Sequence, residues 1–235
     1  VILETIVTTV DLHGRVNLAP MGPWVEFPQR LRRERADDPG FLLRPYDGSQ
    51  TIKNLLQTRR ATIHLTDDAR LIAQAAIGPI DDADQRVTLR EIADADPDDA
   101  YSAVNKATHA AEPAPDRGIT SAQSHAILNE CHRWFAIHVD QIRATPPRNE
   151  MRCRVIDQGI EGPFIGFNRA KHAVIEAAIL ATRVGLIDDD VIRVQLDGLR
   201  SPVEKTASDD ERVAFEMIEC YVERKLSART GDSLR

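Results

Sequence analysis

The sequence predicts an α+β fold, a small antiparallel β-barrel followed by a helical C-terminal unit. Three observations carry this. Short runs rich in Val, Ile and Thr dominate the first part, turn-forming residues separate them, and from Asn168 onward the apolar spacing becomes helical. The order is strand, strand, strand, helix, strand, helix, two strands, then helices, which is not the alternation of a parallel α/β sheet.

Residues 2–10 and 15–20 flank Asp11-Leu12-His13-Gly14, a turn cluster with a glycine able to take positive φ, and form a hairpin. In its first arm Ile6 and Val10 share a face with Thr8, while Val7 shares one with Thr5 and Thr9. Both faces are therefore mixed, as in a barrel strand that also meets a partner or a ligand. Phe41 to Arg44 is a third strand, stopped by Pro45 and the turn at Asp47-Gly48. Ser49 then caps a short helix with Ile52, Leu55 and Leu56 as its buried stripe and Thr51, Asn54 and Thr58 as its polar one. Arg60 to Thr66 alternates, with Ala61, Ile63 and Leu65 inward and Arg60, Thr62 and His64 outward, as a half-buried strand does.

A second helix opens at Thr66-Asp67-Asp68, buries Leu71, Ile72, Ala75 and Ala76, and ends at Gly78-Pro79. Residues 80–124, acidic and alanine-rich, read as a peripheral insert that is partly helical near 98–110. Cys131–Arg143 and Met151–Gln158 form a closing hairpin around Thr145-Pro146-Pro147-Arg148-Asn149. Helical spacing then places Ala170, Val174, Ala177 and Ala181 on one helix and Ala214, Met217, Ile218, Tyr221 and Val222 on another. The expected division is a barrel over 1–160, with its insert at about 80–124, and a helical subdomain over 161–235.

A chain of 235 residues is long enough to bury a core without staples, and its three cysteines, Cys131, Cys153 and Cys220, form no CxxC pair. A net charge of −7 excludes bulk attraction to nucleic acid or anionic lipid. No apolar run approaches the roughly 20 residues of a membrane helix, and Val1-Ile2-Leu3-Glu4 lacks the pattern of a signal peptide. The expectation is a cytoplasmic protein without nucleic-acid or membrane partners.

Two segments carry chemistry. Arg15-Val-Asn-Leu-Ala-Pro-Met-Gly22 is a strand ending at Pro20, where the ladder loses a donor and backbone groups become free, and Asn17 offers a donor and an acceptor to the N and O edge of a flavin. An ordinary strand stopped by proline is the plain alternative. After Asp47-Gly48, the hydroxyls and amide of Ser49, Thr51 and Asn54 surround a helix start whose unpaired N–H groups favour an anion, and Arg44 supplies charge. A capped helix without a ligand is the alternative here. Together the segments suit flavin mononucleotide (FMN), a flat polar ring with a phosphate tail. Arg59-Arg60 is either a second phosphate contact or, as is commoner, a solvated edge.

His132 and His138, six residues apart on one strand, are separated by roughly 20 Å, too far to share an ion. No metal site is expected. His64 reads as a satisfied structural histidine and Asp188-Asp189-Asp190 as a favourable helix start. No P-loop, GxSxG or GxGxxG motif is present.

Ile2–Thr9, Asn17–Gly22, Thr58–Ala61, His64–Asp68 and above all Gly166–Arg183 resemble a domain-of-unknown-function family of FMN-binding split-barrel proteins, related to the flavin reductase group. The similarity runs from residue 2 to about 186, the insert being the departure. The resemblance implies a split β-barrel that forms a homodimer with FMN at the interface. It implies that the strand segment Asn17, Leu18, Ala19, Pro20 and Met21 lines the flavin ring, and that Arg44, Ser49, Thr51 and Asn54 hold the phosphate. It also implies a link to methanopterin-dependent one-carbon metabolism. The expected activity is a flavin-dependent oxidoreductase of unspecified substrate and catalytic residues. The alternatives are a flavin-binding carrier, sensor or assembly protein without turnover, and a flavin-free module in which helix 168–186 docks a partner.

Overall fold

The computed structural model describes residues 1–25, 40–93 and 124–232. Nine strands are present among them: β1 (Thr5–Val10), β2 (Val16–Met21), β3 (Trp24–Val25), β4 (Phe41–Leu43), β5 (Arg60–Leu65), β6 (Val87–Glu91), β7 (Ser124–Leu128), β8 (Arg133–Thr145) and β9 (Arg148–Ile160). The helices are α1 (Gln50–Thr58), α2 (Ala69–Ile77), α3 (Arg169–Thr182), α4 (Asp189–Gly198), α5 (Arg200–Thr206) and α6 (Asp209–Asp232).

Seven strands make one antiparallel sheet in the order β2-β1-β5-β8-β9-β4-β3. The sheet curls because the lead-in to β1 reaches its far edge. The Val25 N–H donates to the Val1 carbonyl at 2.8 Å, the Leu3 N–H to the Pro23 carbonyl at 3.1 Å, and Ile2 bridges Trp24. β2 is left outside this closure on an open edge, so the barrel is split. Its interior holds Phe41, Leu43, Leu55, Ile63, Phe135, Ile137 and Met151, with the Phe41 and Phe135 rings 5.3 Å apart.

The hairpin turn forms as its composition dictates. The Asp11 carboxylate accepts from the His13 and Arg15 N–H groups at 2.8 and 2.9 Å, and Gly14 takes φ 83°. Both faces of β1 are buried: Val7 points into the barrel, and Ile6 into a second apolar layer formed with Leu71, Ile72, Ile127 and Leu128.

That layer corrects two sequence expectations. Residues 80–93 are integral, because β6 pairs with β7 in a ribbon lying over the sheet. The helix expected near 98–110 falls outside the described residues. β5 is consequently buried on both faces, where the sequence suggested one. Thr62 and His64 are fully buried, Thr62 Oγ1 lying 3.3 Å from His125 Nδ1 and His64 Nε2 accepting the Leu128 N–H at 3.0 Å. With Nε2 an acceptor, Nδ1 carries the proton and donates to the Ile6 carbonyl at 3.1 Å. The expected structural role of His64 is what the structure shows.

α2 and the C-terminal helices pack together through small residues. Ala69 and Ala73 of α2 meet Ala170, Ala173, Ala177 and Ala181 of α3, with Ile192, Phe215, Ile218 and Val222 completing the core. The helical unit therefore shares a wall with a helix from the barrel part of the chain. Side-chain oxygens cap the starts: Asp68 accepts from Leu71 N at 2.8 Å, Asn168 from Ala170 N at 2.8 Å and Asp188 from Asp190 N at 2.9 Å. Among the described residues no helix is long and apolar enough to cross a membrane. No group of three or more His, Cys, Asp or Glu there is arranged to hold a metal ion.

Candidate functional site

Where the helical unit meets the open edge of the barrel there is a cleft of about 530 Å³, within the range of small-molecule sites. One wall is the end of β2, with Ala19, Pro20, Met21 and Gly22; one end is the 44–51 segment; the opposite wall is α3. β2 pairs with β1 right through Thr5↔Met21, so Pro20 does not end the ladder as expected. An edge strand tolerates proline because one of its sides has no ladder to lose. It is the outer side of β2 that is free to meet a ligand.

At the phosphate-like end the local geometry matches its residue types. Gly48 takes φ 80°, the turn that redirects the chain from β4 into α1. Ser49 caps the helix, its Oγ accepting the Ile52 N–H at 3.3 Å, and Thr51 Oγ1 accepts an N–H from Asn17 at 3.1 Å. A hydroxyl that only accepts keeps its own proton to give, so both Ser49 and Thr51 can donate into the cleft beside the free N–H groups of the helix start. Arg44 Nε has no hydrogen-bond partner among the described residues, and a Glu150 oxygen lies 3.7 Å away. Hydroxyls, helix start and guanidinium together present donors and positive charge to one end of the cleft.

Of the residues singled out from sequence, Ala19, Pro20, Met21, Arg44, Ser49 and Thr51 line this cleft. Asn17 stands behind it, positioning Thr51. Leu18 points the other way into the apolar layer, and only its backbone belongs to the cleft-side strand. Asn54 is buried inside the fold, donating to Thr9 Oγ1 at 3.0 Å and accepting from Gln50 Nε2 at 2.7 Å. Ile52 and Leu55 are buried as expected, but Thr51 and Asn54 of the expected polar stripe are clamped against the hairpin as well, and Leu56 is instead 55% exposed. Arg60 donates to the Ile92 carbonyl at 3.1 Å, and neither it nor Arg59 lines the cleft. His138 Nδ1 lies 3.2 Å from an Asp140 oxygen and His132 Nε2 3.0 Å from an Asp67 oxygen, so the two rings engage separate carboxylates.

The sequence reading missed part of the lining. Tyr46 and Arg148 come together across the barrel rim, the guanidinium stacked 3.8 Å above the ring and donating to the Tyr46 hydroxyl at 2.5 Å. Nothing local to either residue announces that pairing. Ile175, Ala178, Ile179, Thr182 and Arg183 of the α3 region form the opposite wall. Their signal was legible, since they form a second stripe at helical spacing beside the alanine stripe that enters the helical core. Glu4 also lines the cleft, and burial, followed by the charge of Glu176, pushes its carboxyl pKa upward.

The sheet order, its open edge strand and the helical wall define an antiparallel split β-barrel with a helical C-terminal unit. The chain belongs to the DUF447 family: residues 3–162 match "Protein of unknown function (DUF447) N-terminal domain" and residues 168–220 match "Protein of unknown function (DUF447)". Among solved structures it is similar to an FMN-bound DUF447 protein from Methanosarcina mazei, with TM-score 0.67 and 17% identity over 94% of each chain. It is also similar to an FMN-binding protein from Thermus thermophilus, with TM-score 0.45 and 14% identity, covering 68% of this chain and 72% of the other. A flavoredoxin from Methanosarcina acetivorans gives TM-score 0.45 and 11% identity, covering 70% of this chain and 75% of its own. No curated protein matches the sequence.

Proposed function

We propose that the cleft between β2 and α3 binds FMN and that the protein is a flavin-dependent oxidoreductase. The observation that carries this reading is the convergence of the Ser49 and Thr51 hydroxyls, the start of α1 and the Arg44 guanidinium, whose Nε makes no hydrogen bond among the described residues, on one end of a cleft walled by an open strand edge. Those donors suit a phosphate, and the outer edge of β2 suits the polar rim of the ring. The FMN of the Methanosarcina mazei relative supports the same assignment. Bound flavin would supply redox chemistry, and the chain's part is to orient the ring and shield one side of it with Ile175 and Ile179.

Beside the cleft, next to its lining residue Gly22, Ile2 and Trp24 stay 52% and 43% exposed. We infer that a second copy completes it, giving a homodimer with flavin at the interface. A cytoplasmic role in methanopterin-linked one-carbon metabolism belongs to this proposal as the family resemblance implies it. The test is direct. Purified protein is examined for flavin absorbance and the bound molecule identified by mass, then apoprotein is titrated with FMN and with riboflavin. Losing charge-assisted hydrogen bonds of roughly 1.5–3 kcal/mol each should weaken riboflavin tenfold or more. Equal affinities would defeat the phosphate assignment. Reduction of the bound flavin by a nicotinamide or deazaflavin donor separates an oxidoreductase from a carrier without turnover.

A further inference from the structure

A second cleft, of about 550 Å³, adjoins the first. The two share Glu4 and Ile175, so they meet at one boundary. Its outer wall is aromatic: Phe164 and Phe167 stand edge to face at 5.3 Å, held between His132 and His172, each ring 5.8 Å from its phenylalanine neighbour. Gly166, at φ +137°, makes the turn that presents the two rings. Phe164 remains 54% exposed and Phe167 87% exposed. Fixed apolar rings left uncovered beside a cavity are a binding surface.

The polar side is acidic. Glu4, just before β1, and Glu176, on α3, both line this cleft at its solvent-open side, and neither has a cationic partner among the described residues. Asp67 also lines it but is already engaged, with His132 at 3.0 Å and with Lys171 at 2.6 Å. Two uncommitted carboxylates facing aromatic walls complement a positive charge on a flat apolar body, which gains ion pairing on one side and cation–π contact on the other.

We propose that this cleft is the site for the flavin's reaction partner and that the partner is a planar organic cation, held by Glu176 and Glu4 against Phe164 and Phe167. The proposal rests on the FMN reading for its link to the flavin, while the cation preference belongs to the second cleft alone. Neutral or anionic ring compounds of the same shape meet the aromatic walls but not the carboxylates.

Three probes of one shape test it: 2-naphthylmethylammonium, 2-naphthylmethanol and 2-naphthoate, titrated calorimetrically into protein with FMN loaded and again into apoprotein. The cation should bind about tenfold more tightly than the alcohol, and the carboxylate more weakly than either. Glu176→Gln, at a residue that does not itself line the flavin cleft, should cut the cation's advantage to about threefold or less without changing the alcohol's affinity or the flavin content. Phe167→Ala, at an exposed position, should weaken cation and alcohol together. Equal affinities for cation and alcohol, or an unchanged preference in Glu176→Gln, would overturn the proposal, as would failure to bind any probe because a second copy covers the rings. Protein that shows the cation preference but takes up no FMN would instead sink the flavin reading.

Discussion

His64 offers a sharp test of how the ribbon β6–β7 is fastened over the sheet. It has no solvent exposure, and it links the Ile6 carbonyl on β1 to the Leu128 N–H on β7. Burial lowers its pKa from 6.5 to about 4, the hydrogen bond to Ile6 opposing the shift only in part. At pH 7 the imidazole is neutral in both folded and unfolded chains, and its contribution is complete. As pH falls below about 6.5 the unfolded chain takes up a proton that the folded one refuses, so stability declines by about 1.4 kcal/mol per pH unit toward roughly 3 kcal/mol at pH 4. Urea unfolding of the native protein and of His64→Gln, compared between about pH 7.5 and 4.5, isolates this group. The substituted glutamine cannot ionise and reaches only one of the two partners, so the variant should be weaker at neutral pH but lose less on acidification. The carboxylates with lowered pKa, Asp11, Asp67, Asp82 and Glu211, are common to both proteins, and what they lose on acidification drops out of the comparison. If both proteins lose stability with the same slope, the buried neutral histidine is not the fastening described.

Arg44→Ala should weaken FMN while leaving riboflavin nearly unchanged, and Thr51→Val, which also removes the Asn17 contact, should weaken FMN about tenfold; competitive titration reads both. Equal losses for FMN and riboflavin in Arg44→Ala would indicate a folding defect. A Cβ on Gly159 would sit 2.5 Å from the Trp134 indole nitrogen, and that indole is buried and donates to Glu161 at 2.8 Å. Gly159→Ala should therefore cost about 1–3 kcal/mol in chemical denaturation; no loss would mean the indole swings aside freely. Dilution should release FMN as the dimer dissociates, and added FMN should favour the dimer in analytical ultracentrifugation. A monomer retaining one tightly bound flavin per chain would refute the interface reading.

Features that depend on near neighbours were legible in the sequence. Ser49, Asp68, Asn168 and Asp188 lie within three residues of the N–H groups they cap, and Asp11 to Gly14 closes its own turn. The α+β order, the helical character after Asn168 and the donor-rich start of α1 could be read for that reason, and the mixed faces of β1 fitted a barrel strand whose outer side is partly covered; that the cover is complete came from the structure. Which face each element spends on the core was settled by contacts between distant segments. β5 looked half-buried because its second cover, β7, is contributed by a segment more than sixty positions away, and His64 meets Leu128 only after the ribbon docks. α1 turned its Thr51 and Asn54 inward because Thr9 and Asn17 on the hairpin offer matching donors and acceptors. Arg148 reached Tyr46 across the rim, and α3 turned a second stripe toward the open edge of β2. Periodicity reports that a face is apolar or polar. Only packing between distant segments supplies the partner that makes burying a polar face favourable, and the same packing leaves the space between β2 and α3 open as a cleft.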